Sequence, residues 1–113
     1  MSTQQIQLDH LFSALGDTTR RAVLARLCKG PAAVSELALE FDMALPSFTQ
    51  HLRVLEHSGL VISEKKGRVR TYQLEPEALK EAEQWLASQR SDWEKRFNQL
   101  DAYLHKIKEN HDV

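Results

Sequence analysis

A chain of 113 residues with 42% hydrophobic and 27% charged content has the make-up of one soluble domain with a small core. It holds no apolar run near the roughly 18 residues of a membrane span, and its opening Met-Ser-Thr-Gln-Gln lacks the basic and apolar regions of a secretory signal. The lone cysteine, Cys28, excludes an internal disulfide and fits a reducing compartment.

Residues 5–15 are predicted to form a helix on the stripe Ile6, Leu8, Leu11, Phe12 and Leu15. Gly16-Asp17 breaks it, and Asp17 or Thr18 is placed to cap a second helix over 19–29. Ala22, Val23, Leu24 and Leu27 supply its buried face, and Gly30-Pro31 ends it. Beside Leu24 and Leu27, Cys28 reads as a small buried hydrophobe. The alternative is a thiol that senses oxidation. Ser35 is expected to cap a short helix over 36–41, with Leu37, Ala38 and Phe41 inward.

After the turn at Asp42-Met43, Pro46 suits the first turn of another helix. Phe48, Leu52, Leu55 and, at the margin, Val54 give it one apolar face. Ser47, Thr49, Gln50, His51 and Arg53 occupy much of the remaining surface, and side chains of these types read base edges. Gly59 is placed to end the helix. Leu60 and Ile62, then Val69 and Thr71, alternate on either side of Lys66-Gly67, which predicts a β-hairpin. Lys65, Lys66, Arg68 and Arg70 lie at its tip and arms. A short helix, a tight turn, a second helix and a basic hairpin make a helix-turn-helix with a wing.

Charge agrees with this order. Residues 45–73 carry Arg53, Lys65, Lys66, Arg68 and Arg70 against Glu56 and Glu64, a net +3, between flanks of −1 and −3. A near-neutral chain thus holds one basic segment, as phosphate contact requires.

Glu75-Pro76 opens a long last helix, the alternatives being a kink near Ser88–Asp92 or two shorter helices folded back onto the core. Leu79, Ala82, Leu86, Gln89, Trp93, Phe97, Leu100, Leu104 and Ile107 step by threes and fours, with Trp85 and Tyr103 widening the stripe. Such a helix is about 45 Å long, more than a domain this small can cover. The expectation is a homodimer built on this helix and completed by the first one. Leu8, Leu11, Trp85, Leu86, Trp93, Phe97, Leu100 and Leu104 are the candidate contacts. The whole is expected to be mainly α with a β-hairpin wing: one domain over 1–113, with the core, helix-turn-helix and wing in 5–73 and the dimerising helix in 75–110.

Four motifs in order carry a family resemblance. Leu11-Phe12-Ser13-Ala14-Leu15-Gly16-Asp17-Thr18-Thr19-Arg20-Arg21 resembles the opening signature of the ArsR/SmtB repressors, and Val34-Ser35-Glu36-Leu37-Ala38 their first motif helix. Residues 47–61 are similar to their recognition helix and the turn into the wing, and 66–72 to the wing itself. The resemblance implies a cytoplasmic, prokaryotic homodimer. It also implies that its recognition helices enter successive major grooves of a palindromic operator in double-stranded DNA. In many members an inducer, often a metal ion, releases the DNA. Here the helix that carries paired cysteines in the metal sensors has none, and the Asp/His pair on the last helix is broken at Asp92 and Asp101. His105 and Glu109, with His111 near, read as a polar helix end. The chain therefore resembles the metal-independent branch, with no metal or other cofactor and with constitutive repression or release by a protein or small molecule. Ala44 stands where a capping serine or threonine is usual, and Gln50 where many members have lysine.

No nucleophile–base arrangement or phosphate-binding glycine loop points to an enzyme. The remaining alternatives are a thiol- or metal-responsive sensor and a winged helix used for protein contact.

Overall fold

Helix α4, Leu45–His57, buries Phe48, Leu52 and Leu55 almost completely, and the other elements close around that face. The computed structural model describes residues 2–111. In chain order they form α1 (Thr3–Leu15), α2 (Thr18–Leu27), β1 (Ala32–Ala33), α3 (Val34–Glu40), α4, β2 (Val61–Lys66), β3 (Val69–Leu74) and α5 (Pro76–His111). The core joins Leu11 and Ala14 of α1, Val23, Leu24 and Leu27 of α2 and Leu37 of α3 to the α4 face; Leu60, Val61 and Tyr72 complete it.

Local chemistry sets the helix ends. Ser2 and Gln5 form a reciprocal capping box on α1, each backbone N–H donating to the other's side chain at 3.2 Å. The Asp17 carboxylate caps α2, accepting from the Arg20 N–H at 3.0 Å. At the end of α4, Leu60 N–H donates to the Leu55 carbonyl and Gly59 N–H to that of Glu56. With Gly59 at φ +83°, this is a Schellman motif, and Leu55 and Leu60 supply its apolar contact. Gln7 donates to the Ser58 carbonyl at 3.2 Å and so ties α1 to the same turn.

The sheet has the order β1-β3-β2, all antiparallel. Lys66 pairs with Val69, so the hairpin loop is Gly67-Arg68. Gly67 has φ +62° and no described non-glycine residue has positive φ, the pattern of a type II′ turn.

Several expectations are corrected. Ser35 does not cap α3; Ala33 holds that position, its N–H donating to the Glu36 carboxylate at 3.4 Å. Ala22 is exposed, and so is Cys28, because α2 turns them away from the face that carries Val23, Leu24 and Leu27. The inward hairpin face is Val61, Ser63, Tyr72 and Leu74; Ile62 and Val69 are exposed on the other. A one-residue change of phase exchanges the faces of a strand. Leu11, expected at an interface between copies, is fully buried in the core of its own chain, and Leu8 is partly buried against that core.

The described residues fall into two compact units, one ending at Ala82 and the other beginning at Glu83. Helix α5 is continuous over 36 residues, about 54 Å at 1.5 Å per residue. Its first turns bury Ala78 and Ala82. Within the second unit Trp93, Phe97, Leu100, Tyr103 and Leu104 are each more than half exposed.

Leu52→Ala should lower the unfolding free energy by about 2–5 kcal/mol, since no solvent-facing path relieves the cavity. Leu39→Ala, at a side chain 89% exposed, should stay within about 0.5 kcal/mol of the parent. Urea denaturation of both variants checks the pair.

Candidate nucleic-acid interface

The buried phase of α4 dictates what the helix shows outside. With Phe48, Leu52 and Leu55 inward, Ser47, Gln50 and Arg53 are exposed and Thr49 is half-buried at the edge. Beside this surface stands the β2–β3 hairpin, with Lys65, Lys66, Arg68 and Arg70 all exposed. Between helix and hairpin lies an open cleft of about 700 Å³, lined among others by Thr49, Arg53, Lys65, Arg68 and Arg70. Gln50 and Arg53 also border a smaller hollow on the α1 side, about 440 Å³, with His10 and His57. Of the expected readers and wing cations, Thr49, Arg53, Lys65, Arg68 and Arg70 line one cleft, and Ser47, Gln50 and Lys66 are exposed outside it, with one exception.

The exception is His51. Its ring is turned toward α2, with Nδ1 3.3 Å from the Arg20 guanidinium and 3.7 Å from the Asp17 carboxylate. Arg20 is itself anchored, donating to the carbonyls of Ala14 at 2.8 Å and Ser13 at 3.0 Å. His51 thus fixes α4 against the α1–α2 turn instead of facing outward. The Arg20 backbone N–H holds the Asp17 carboxyl below its ordinary range; partial desolvation opposes this, and the nearby His51 and Arg20 charges reinforce it.

Sequence reasoning missed the link between α4 and the hairpin. Ser63 donates to the Glu56 carboxylate and accepts from Arg70 Nη1 at 2.8 Å. An acid at the end of α4 is thereby joined through a hydroxyl to a cation on β3, which fixes the hairpin's angle to the helix. Only the cross-strand pairing of Ser63 with Tyr72 places Ser63 on this face, and single-strand periodicity had the opposite phase. Burial pushes the Tyr72 hydroxyl pKa up, with Glu56 adding to the effect.

The wing is built against its own electrostatics. Lys65 and Arg70 stand directly opposite each other in the ladder. Like charges at such positions repel. On the arms, Lys66 pairs with Glu64 at 3.9 Å, with both side chains largely exposed. A polyanion laid along the hairpin would relieve this repulsion. Among the described residues no three His, Cys, Asp or Glu side chains converge as a metal site. His105 and Glu109 are exposed on α5, and the His111 side chain lies outside the described residues.

Comparison with known proteins bears on this arrangement. Residues 15–64 match a family model described as a helix-turn-helix domain. The crystal structure of an ArsR family transcriptional regulator superposes with TM-score 0.78 and 54% identity, covering 83% of this chain and 97% of that one. The chain belongs to the ArsR family. Among curated relatives, the HTH-type transcriptional regulator Rv2034 of Mycobacterium tuberculosis is 45% identical over 71 residues, 63% of this chain and 66% of its own length. The transcriptional repressor SdpR of Bacillus subtilis is 28% identical over 79 residues, 70% of this chain and 88% of its own. Membership makes the chain a winged helix-turn-helix transcriptional regulator. The ArsR family is one of DNA-binding regulators, not of enzymes.

Arg68→Ala should weaken binding to all duplexes about equally and flatten the plot of log affinity against log salt by about one unit. Affinity measured from 50 to 300 mM salt, roughly the range over which phosphate contacts are lost, checks this. Asp17→Asn tests the cap. Because the folded carboxyl titrates below its unfolded range, its contribution is present above about pH 4 and fades as pH falls through the folded value. The melting temperatures of parent and variant should therefore differ at neutral pH and converge in acid.

Proposed function

We propose that this chain is a repressor that binds a palindromic operator as a homodimer, in the cytoplasm of a prokaryote and without a metal cofactor. One observation carries the reading. Thr49 and Arg53 of α4 line one cleft with Lys65, Arg68 and Arg70 of the hairpin, and Gln50 is exposed next to Arg53 on the same helix, which supports base readers and phosphate contacts meeting the same partner. Gln50 pairs with adenine in a bidentate way, and Arg53 reaches guanine or a phosphate. Ser47 and Thr49 supply shorter contacts on either flank. Lys65, Lys66, Arg68 and Arg70 hold phosphates beside the minor groove, which sets the register of α4. Repression is the named activity of the SdpR relative. Independence from metal is supported by the sequence of α3, which lacks the cysteine pair of the family's metal sensors.

Dimerisation rests on α5. Trp93, Phe97, Leu100 and Leu104 form an exposed apolar stripe, with a shallow depression lined by Trp93, Arg96, Phe97 and Leu100. Contiguous apolar surface of this kind marks an interface. Leu79, Leu86, Trp93, Leu100 and Ile107 recur every seven residues, the repeat of a left-handed helix pair. A palindromic operator read in successive major grooves needs two recognition helices about 34–36 Å apart, which calls for a dimer. In this reading residues 5–73 carry DNA binding and 75–110 carry pairing.

Selection of bound sequences from a random duplex library with the purified protein tests the reading. Enrichment of an inverted repeat supports it, and no enrichment removes it. The double variant Trp93→Glu, Leu100→Glu should sediment as a folded monomer and lose at least roughly 100-fold in affinity for the enriched duplex, because one half-site alone binds weakly. A variant that stays dimeric with full affinity contradicts the α5 interface.

A further inference from the structure

The exposed large apolar side chains outside α5 are few. Ile6 is on α1, Leu39 on α3, Leu45 on α4, and Ile62 and Val69 are on the hairpin. Leu45 and Val69 line the cleft between the recognition helix and the wing. Leu45 is the first residue of α4 and is 57% exposed. It contributes nothing to the cap, and the Ala44 side chain before it makes no capping hydrogen bond. Leu45, Thr49 and Arg53 follow one another at four-residue steps along the cleft wall. Along this wall the helix therefore presents a branched hydrocarbon, then a hydroxyl with a methyl, then a guanidinium, about one turn apart.

We propose that Leu45 is a specificity-determining residue that reads a thymine through its C5-methyl group. This rests on the DNA-binding reading above and adds a base to it. The N-terminal residues of a recognition helix lie nearest the base edges of the major groove. A side chain with no donor or acceptor distinguishes bases there in one way, by apolar contact. Of the four bases only thymine offers a methyl to that groove. Cytosine at the same place presents its N4 amino group, which loses water against the leucine and gains no partner. Adenine and guanine present polar N7 edges with the same difficulty. The Thr49 methyl, one turn further along, extends the apolar strip, and its hydroxyl remains available to a neighbouring group. Gln50 and Arg53 specify by hydrogen bonding, whereas Leu45 specifies by a methyl contact and by the polar edges it rejects.

The test uses the full chain and a duplex recovered by selection. Each thymine is replaced singly by deoxyuridine, which removes the methyl and leaves pairing unchanged. The parent should lose about three- to fivefold in affinity at one thymine per half-site, the factor for returning one methyl-sized apolar group to water. Leu45→Ala should bind the thymine and uracil duplexes equally at that position and keep the parent's penalties elsewhere. Leu45→Gln should shift the selected base there from thymine to adenine, through a bidentate amide. Leu45 is more than half exposed, so the variants should melt with the parent by circular dichroism. If Leu45→Ala retains the parent's uracil penalty at every position, or the parent shows none, the assignment of Leu45 is overturned while sequence selection by the parent still stands. If the parent enriches no sequence at all, the DNA-binding reading fails first and this inference with it.

Discussion

Burial of one face of α4 is the constraint on which the rest of the structure depends. Phe48, Leu52 and Leu55 have no exposure worth the name, and they meet side chains from α1, α2 and α3. A helix held on one face in a close-packed core has a fixed rotation about its axis. That rotation decides that Gln50 and Arg53 look outward, that Thr49 sits at the rim, and that His51 turns back to the α1–α2 corner. Gln50 and Arg53 are polar and exposed, whereas the inward residues specify the fold. Recognition chemistry can thus vary on one face of α4 without disturbing the face that holds it.

A second set of contacts fixes the wing relative to that helix. The Schellman turn at Gly59 brings the chain from α4 straight into β2, and Leu60 is buried as it does so. Ser63 then bridges Glu56 and Arg70. Glu56 is an acid beside a cleft otherwise rich in cations, and its local role explains it. It holds the hairpin through Ser63 while four other cations of the segment stay exposed. The paired Lys65 and Arg70 leave positive charge concentrated along one ladder rung. Shape and charge meet at Arg70, which belongs both to the short hydrogen-bond chain that ties the hairpin to α4 and to the positive rung it forms with Lys65.

Much of this was legible in the sequence, and the gaps have physical causes. The helices announced themselves by period, and the Asp17 cap and the Gly59 stop by residue type. The absence of glycine and proline over 77–110 pointed to a long last helix but left a kink near Ser88–Asp92 open, and the structure shows one continuous helix. Strand β1 was illegible because Ala32-Ala33 carries no β-branched or aromatic signal and exists only by pairing with Thr71 and Tyr72. The hairpin phase was misread because Leu60 and Ile62 are as apolar as Val61, so alternation alone left two registers open and the tight turn after α4 chose between them. Leu11 reads from the family resemblance as an interface residue, and His51 from helical phase as an edge reader. The packing of α1 on α4, and the Asp17–Arg20 pair, place them inward. Leu45 passed unnoticed because an apolar residue before a proline looks like a helix start. Its exposure is visible only in three dimensions.

The central claim is that α4 and the hairpin engage one stretch of duplex together, twice per dimer. Hydroxyl-radical footprinting on a duplex recovered by selection tests it most directly. The account predicts two protected patches on one face of the DNA, their centres about one helical turn apart, ~34 Å. Each patch should be flanked by backbone protection at the adjacent minor groove, and that flank should vanish when the hairpin cations are replaced by alanine. Even protection along any sequence, or a flank that persists without those cations, would contradict it.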